Sequence, residues 1–281
     1  MVDLNDYRKN IYFNYGVKEC PYYSEDGVIE KFFDVVGQDE KPFIVEFGET
    51  RSLGTTTRAF RIGNISRAMY FVGSTDLYSK ILNILDIFKT IFLTKNIKYL
   101  KFLTNMPFVF FVKPDNIVNL FKKILIKEKI SSENIDILSV DIDSYDYYCV
   151  KELLENNFTP RLLIVEYNPN LPLDQALSYP IVESWSLSKN RKAYGASYLA
   201  INNLMEKFGY KLVHISGFCN LFYSRNDYAN LFSKPDINKE CPLSKQDAIK
   251  FADLYCQKGF RPSWLEEPNL SHNDLKLFNK V

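Results

Sequence analysis

The sequence predicts an α/β fold: a mostly parallel sheet covered by helices on both faces, with one reversed strand near its end. Three observations predict it. Short apolar runs alternate with segments whose apolar residues recur at helical spacing. The runs are apolar through most of their length, the pattern of strands buried on both faces. Two later runs, 211–215 and 220–224, are joined only by Ser216, Gly217, Phe218 and Cys219. No crossover helix fits in that connection, so these two must pair as an antiparallel hairpin.

Taken in order, Val28, Ile29, Phe32, Phe33 and Val36 fall on one face of a predicted helix over 26–37. The first predicted strand, 43–48, begins after Pro42 and ends at Gly48. The second, 68–72, ends at Gly73, and the third, 108–112, is stopped by Lys113 and Pro114. The fourth and fifth, 135–140 and 162–165, end in Asp141 and Glu166. Between them, 76–93, 115–128 and 145–156 read as helices. A later helix over 196–208 is closed by Gly209, at the position where a left-handed backbone is usual. Ser244 and Asp247 resemble a capping box ahead of Ala248, Phe251, Ala252 and Tyr255, which predicts a last helix and then a tail from 261. The chain thus divides into an N-terminal helical segment (1–40), a main domain (41–232) and a C-terminal helix and tail (233–281). An insertion at about 76–104, rich in Ile, Leu, Phe and Lys, is read as cover for the sheet. A partner-binding surface, including one for a homo-oligomer, is the alternative.

At 281 residues, 46% hydrophobic and 25% charged, the composition is that of a globular protein and excludes wholesale disorder. Thirty-five basic residues against 34 acidic ones leave a formal charge of +1, so no global field draws the chain to nucleic acid or an anionic membrane. Any anion must be held by a local site. The five cysteines, at 20, 149, 219, 241 and 256, are odd in number and widely spaced, which predicts neither a disulfide framework nor a zinc site and suits a reducing cytoplasm. The first ten residues lack an apolar signal core, and the stretch 81–93 is broken by Asn83, Asp86 and Lys89, so no membrane span is expected. Neither a GxSxG elbow nor a GxxxxGK[ST] loop occurs. His214 lies within a predicted strand and His272 in the tail, which suggests packing rather than chemistry.

In open parallel sheets ligands bind beyond the carboxyl ends of the strands. At the first such end, Gly48 and Gly54 would let a ligand approach the backbone, and Thr55, Thr56 and Thr57 could cap a following helix. At the fourth, Asp141, Asp143 and Asp146 fall within six residues. Helix capping explains one of them: Asp143 or Ser144 suits the N-cap, with Asp146 in the first turn. Asp141 is left unexplained by that role. The fifth end adds Glu166 and Asn168, and Pro169 delays any helix. Asp141, Asp143, Glu166 and Asn168 are therefore expected to converge on one cleft, as oxygen ligands suited to magnesium or to a polar substrate. The stretch 171–193, with Tyr179, Trp185, Lys189, Arg191 and Lys192, is a candidate lid, and Tyr194 to Ser197 would open the late helix toward the same cleft.

In this order the motifs resemble class I S-adenosylmethionine-dependent methyltransferases, and the FkbM-type branch in particular. The matching text is Val45-Glu46-Phe47-Gly48, Leu138-Ser139-Val140-Asp141-Ile142-Asp143, Ile164-Val165-Glu166-Tyr167-Asn168, Tyr194-Gly195-Ala196-Ser197 and Phe222-Tyr223-Ser224-Arg225-Asn226-Asp227. The resemblance implies a Rossmann-like three-layer sandwich, a seven-stranded mostly parallel sheet with one reversed strand. It also implies methyl transfer from S-adenosylmethionine to a hydroxyl of a small molecule or glycan. By position, Glu46, Gly48, Gly54, Thr56 and Asp141 would surround the cofactor. No acid directly follows the second strand, so Asp76 is the candidate for the ribose hydroxyls. Asp141 and Asp143 are the candidate catalytic bases, and Glu166, Asn168, Tyr194 and Ser197 would hold the acceptor. Magnesium, if used, would rest on Asp141, Asp143, Glu166 and Asn168. The same residues leave open a non-catalytic relative that uses the fold as a binding or assembly module.

Overall fold

The computed structural model describes residues 25–37, 42–48, 67–72, 108–109, 112–182, 193–215, 219–232 and 270–281, together with single positions and one short turn, Ile97–Leu100, between 81 and 100. The order is α1 (Glu25–Val36), β1 (Phe43–Gly48), β2 (Arg67–Val72), β3 (Phe108–Val109), α2 (Pro114–Glu128), β4 (Ile137–Val140), α3 (Asp146–Glu155) and β5 (Leu162–Glu166). Then follow β6 (Leu177–Ser178), α4 (Tyr198–Lys207), β7 (Tyr210–Ile215), β8 (Asn220–Arg225), α5 (Asn226–Ala229), α6 (His272–Leu275) and β9 (Asn279–Lys280).

The main sheet runs β3-β2-β1-β4-β5-β8-β7. Strands β1 to β5 are parallel, while β8 is antiparallel to both β5 and β7. Alternation along each strand sends side chains to two cores. Val45, Phe47, Leu138, Val140, Leu163 and Val165 pack under α2, α3 and α4. Ile44, Ile137, Ile164 and Phe222 pack under α1, whose Val28, Ile29, Phe32 and Phe33 cover them. Helices thus flank the sheet in a three-layer α/β sandwich. Pro114 opens α2, where its missing N–H costs nothing. Gly209, with φ +80°, follows the end of α4 in the left-handed conformation that favours glycine.

Of the third predicted strand, 108–112, Phe108 and Val109 are in β3, Val112 is not, and 110–111 lie outside the described residues; the fourth starts at Ile137 rather than 135. Asp136, just ahead of β4, is taken up instead by an anchor at the amino ends of the strands. Its carboxylate accepts from the Phe43 amide at 2.7 Å and pairs with Arg161 at 3.0 Å. Arg161 in turn donates to the carbonyls of Val36 and Gly37 at the end of α1. Within the tail, residues 270–281 pack on the domain: β9 pairs with β6, and Phe278 packs edge to face on Tyr179. The predicted helix at 244–255 lies outside the described residues. His214 is buried edge to face against Phe222, a packing role.

Candidate functional site

The carboxyl ends of β1, β4 and β5 and the start of β8 share one rim of the sheet. Gly48 brings the first two together. The Asp141 amide donates to the Phe47 carbonyl at 2.9 Å, and a Cβ on Gly48 would overlap the Asp141 carbonyl oxygen. With φ +141°, Gly48 also adopts a backbone that L side chains rarely take. Close approach at this glycine is therefore made by the chain's own backbone.

The turn after β4 is built around Asp146. Its carboxylate, fully buried, accepts from the amides of Ile142 at 2.8 Å and Ser144 at 3.0 Å. That draws the turn tight and leaves Asp143 left-handed, with φ +57°. The residue ahead of α3 is Tyr145, with no side-chain capping bond, so neither Asp143 nor Ser144 serves as the N-cap. Asp146 is the first helical residue but turns back to its own loop. Burial, then the charge of Asp143, pushes its pKa up to about 7, against the pull of the amides.

Asp141, Asp143 and Glu166 meet on this rim, each offering a carboxylate oxygen within 4.8 Å of the others. Glu166 is buried, and burial foremost, then the charges of Asp141, Asp143 and Asp146, raise its pKa well above the ordinary range. Its hydrogen bond to Asp141 favours the protonated form as well. Burial and the acidic neighbours thus favour the protonated form of Glu166, which is hydrogen-bonded to Asp141. The Cys219 thiol, buried beside Glu166, Asp141 and Glu25, is held far from its reactive thiolate form.

Two residues without an expected role complete the rim. Asn220, directly opposite Glu166 across the β5–β8 ladder, donates from Nδ2 to Glu25 at 2.8 Å. Glu25 comes from the start of α1, 195 residues away. An acid at a helix start reads in sequence as a dipole partner, and an asparagine opening a strand reads as a boundary. Among the described residues, Glu166 Oε2 and Asn220 Oδ1 are buried oxygens with no hydrogen-bond partner. Directly opposite residues of an antiparallel pair share a face, so two acceptors lie side by side in need of donors.

The other predicted residues are engaged in holding loops. The Asn168 amide donates to the Tyr194 carbonyl at 3.1 Å, and its Oδ1 accepts from the Asn170 amide at 3.0 Å. Ser197 caps α4 by accepting from Ala200, accepts from Leu177, and donates to the Gln175 carbonyl at 2.6 Å. The Gly195 amide donates to the Ser144 carbonyl, and the Asn168 amide N–H to the Ala196 carbonyl. Residues 193–197 therefore tie the ends of β4 and β5 to each other, with Tyr194 buried among them. Alternation along β1 puts Glu46, also buried, on the α1 face beside Ser139 of β4. Gly54, Thr56, Asp76 and the basic stretch 183–192 lie outside the described residues.

A cleft of about 430 Å³ lies elsewhere, lined by Glu206, Tyr210, Lys211, Leu212, Asn226 and Phe232 among others. Tyr210 pairs with Arg225 at the far end of the β7–β8 ladder, so this cleft sits at the opposite end of the sheet from the acids. No protein-family model matches the sequence, and no curated protein matches it. Among solved structures, the chain is similar to a SAM dependent methyltransferase from Aquifex aeolicus, at 10% identity over 80% of this chain and 98% of that one, with a TM-score of 0.32. Likeness of that degree decides neither activity nor ligand.

Proposed function

We propose that the chain is an S-adenosylmethionine-dependent methyltransferase of the FkbM type, acting on a hydroxyl of a small molecule or sugar. The observation that carries this reading is the meeting of Asp141, Asp143 and Glu166 within 4.8 Å on the rim where open α/β sheets take ligands. The donor set fits a cationic cofactor: the carboxylates that raise the Glu166 pKa create a negative potential there, which favours a sulfonium. Glu46, Gly48 and the stretch to Gly54 and Thr56 would surround it, with Asp76 at the ribose. When bound, the cofactor supplies a methyl group already activated on sulfur.

The chain's own residues then have two tasks. Positioning comes first, because an in-line displacement needs the acceptor oxygen aligned more than it needs a strong base. Glu166 Oε2 and Asn220 Oδ1 suit this, since donor groups on the acceptor would satisfy both oxygens. Asp141 or Asp143 takes the hydroxyl proton, and Glu166, hydrogen-bonded to Asp141, holds that residue in place. Asn168, Tyr194 and Ser197 support the rim through the 193–197 segment. In a second reading, favoured by the same three hard oxygen ligands, Asp141, Asp143 and Glu166 would hold magnesium, whose charge would lower the hydroxyl pKa.

Calorimetry with S-adenosylhomocysteine tests the reading directly. Heat of binding is expected, and its absence at about millimolar ligand would leave a non-catalytic binding module. Asp141→Asn should lower turnover by about 100- to 10,000-fold while the circular dichroism is unchanged. A fully active variant removes Asp141 from the mechanism. Turnover that survives a chelator dismisses magnesium.

A further inference from the structure

Six of the eleven large hydrophobic side chains exposed among the described residues lie in one stretch, at Ile81, Leu85, Phe88, Phe92, Ile97 and Leu100. The first four are each helical and recur at steps of four, three and four, the spacing at which residues of a helix line one face. Phe92 is 84% exposed and Ile97 70%. Ile84 and Ile91, also helical, are half-buried, whereas the six are exposed. Single exposed apolar residues are ordinary on any protein surface, whereas a contiguous stripe marks a surface that something else covers. The expectation that this insertion covers the sheet fails at these positions, which turn outward.

We propose that the stretch 80–101 docks on an anionic lipid surface, with its apolar stripe in the headgroup boundary. Charge decides the occupant. In sequence the stretch holds Lys80, Lys89, Lys95, Lys98 and Lys101 against Asp86 alone, five positive charges less one negative, while the whole chain carries only +1. A second copy of the stretch would bring the same net positive charge with it. An anionic bilayer supplies the opposite sign. Lysines interleaved with Phe, Leu and Ile are the composition of helices that lie in a membrane interface. No described helix is long and apolar enough to cross a membrane, so the contact is with one leaflet.

The test spins the full chain with vesicles of phosphatidylcholine alone, and of phosphatidylcholine mixed with phosphatidylglycerol, at about 0.1 M and about 1 M salt. The mixed vesicles should carry the protein down at low salt, with several-fold less bound at high salt or on the neutral vesicles. Phe88→Ser/Phe92→Ser should lower binding by about tenfold or more, since burying one phenyl ring is worth about a decade of partitioning. Ile126→Ser, which removes an exposed side chain on α2 outside the stretch, should bind as wild type does. Absence of binding to either vesicle overturns the proposal, as does a double variant that binds unchanged. Light scattering that finds a wild-type dimer split by the double variant overturns it too, and assigns the stripe to a second copy.

Discussion

Gly48→Ala would show whether the ends of β1 and β4 are held together as tightly as the geometry requires. The new Cβ would overlap the backbone carbonyl of Asp141, and the φ of +141° is one that alanine rarely adopts. Neither neighbour can yield alone. The Asp141 amide is bonded to Phe47, and the turn beyond it is drawn in by Asp146 through the Ile142 amide. Relief must come from twisting the strand end or opening the β1–β4 pair. Overpacking costs about 1–3 kcal/mol and an unfavourable positive φ about 1–2 kcal/mol more, for a loss of about 2–5 kcal/mol. Urea unfolding with an unchanged slope would measure it. A variant within about 0.5 kcal/mol of wild type refutes the close approach. The same variant separates two roles for the glycine: unchanged affinity for S-adenosylhomocysteine in a destabilised protein would assign Gly48 to packing and not to ligand access.

Asp136→Asn should cost about 3 kcal/mol in urea unfolding, because it leaves the Arg161 charge in a largely buried anchor without its counterion. A loss under about 1 kcal/mol would make that pair incidental. Ser197→Ala removes the α4 cap and the acceptor for Leu177, so a loss of about 2 kcal/mol is expected, and a neutral result would return Ser197 to substrate binding. Stability should also fall as pH rises. Asp146 and Glu166 bind protons more tightly in the native state than in the unfolded chain, which releases them above about pH 4, so their contribution is complete below that and is lost as pH rises through each raised pKa, about 7 for Asp146. Each group accounts for about 1.4 kcal/mol per pH unit inside its window. Urea unfolding at pH 5 and pH 8 measures the difference, Asp146→Asn should reduce it, and equal stability at the two values contradicts the raised pKa values.

What the sequence made legible is what local pattern determines. The runs at β1, β4 and β5 are apolar because both faces are covered, and each ends where a glycine or an acid breaks the run. The short 216–219 connection forced the reversed strand. Roles set by tertiary contact were not legible. Asp146 looked like a helix-dipole acid, but its carboxylate turns back to amides four and two residues earlier. Asn168 and Ser197 looked like substrate contacts because they stand at a strand end and a helix start, and only the packed 193–197 segment shows both bonded to the backbone. Asn220 and Glu25 are separated by nearly the whole main domain, and no spacing rule joins them. The outward stripe of the insertion was also hidden, since the same residues would serve equally as cover.

The two ends of the sheet handle buried charge in opposite ways. At the amino ends, Asp136 meets Arg161, the Phe43 amide takes the second carboxylate oxygen, and the guanidinium reaches two carbonyls of α1. That anchor binds three elements and keeps its carboxylate satisfied. At the carboxyl ends, carboxyl groups face one another, the Glu166 pKa is pushed up, and two neighbouring oxygens have no donor among the described residues. A rim needed only for stability would gain from replacing Glu166 with an apolar residue, since uncompensated buried polar groups cost about 1–3 kcal/mol each. Glu166→Leu should therefore leave the fold intact or more stable while abolishing whatever binds there. If it unfolds the chain instead, the acids belong to the scaffold, and the rim loses its claim to be a site.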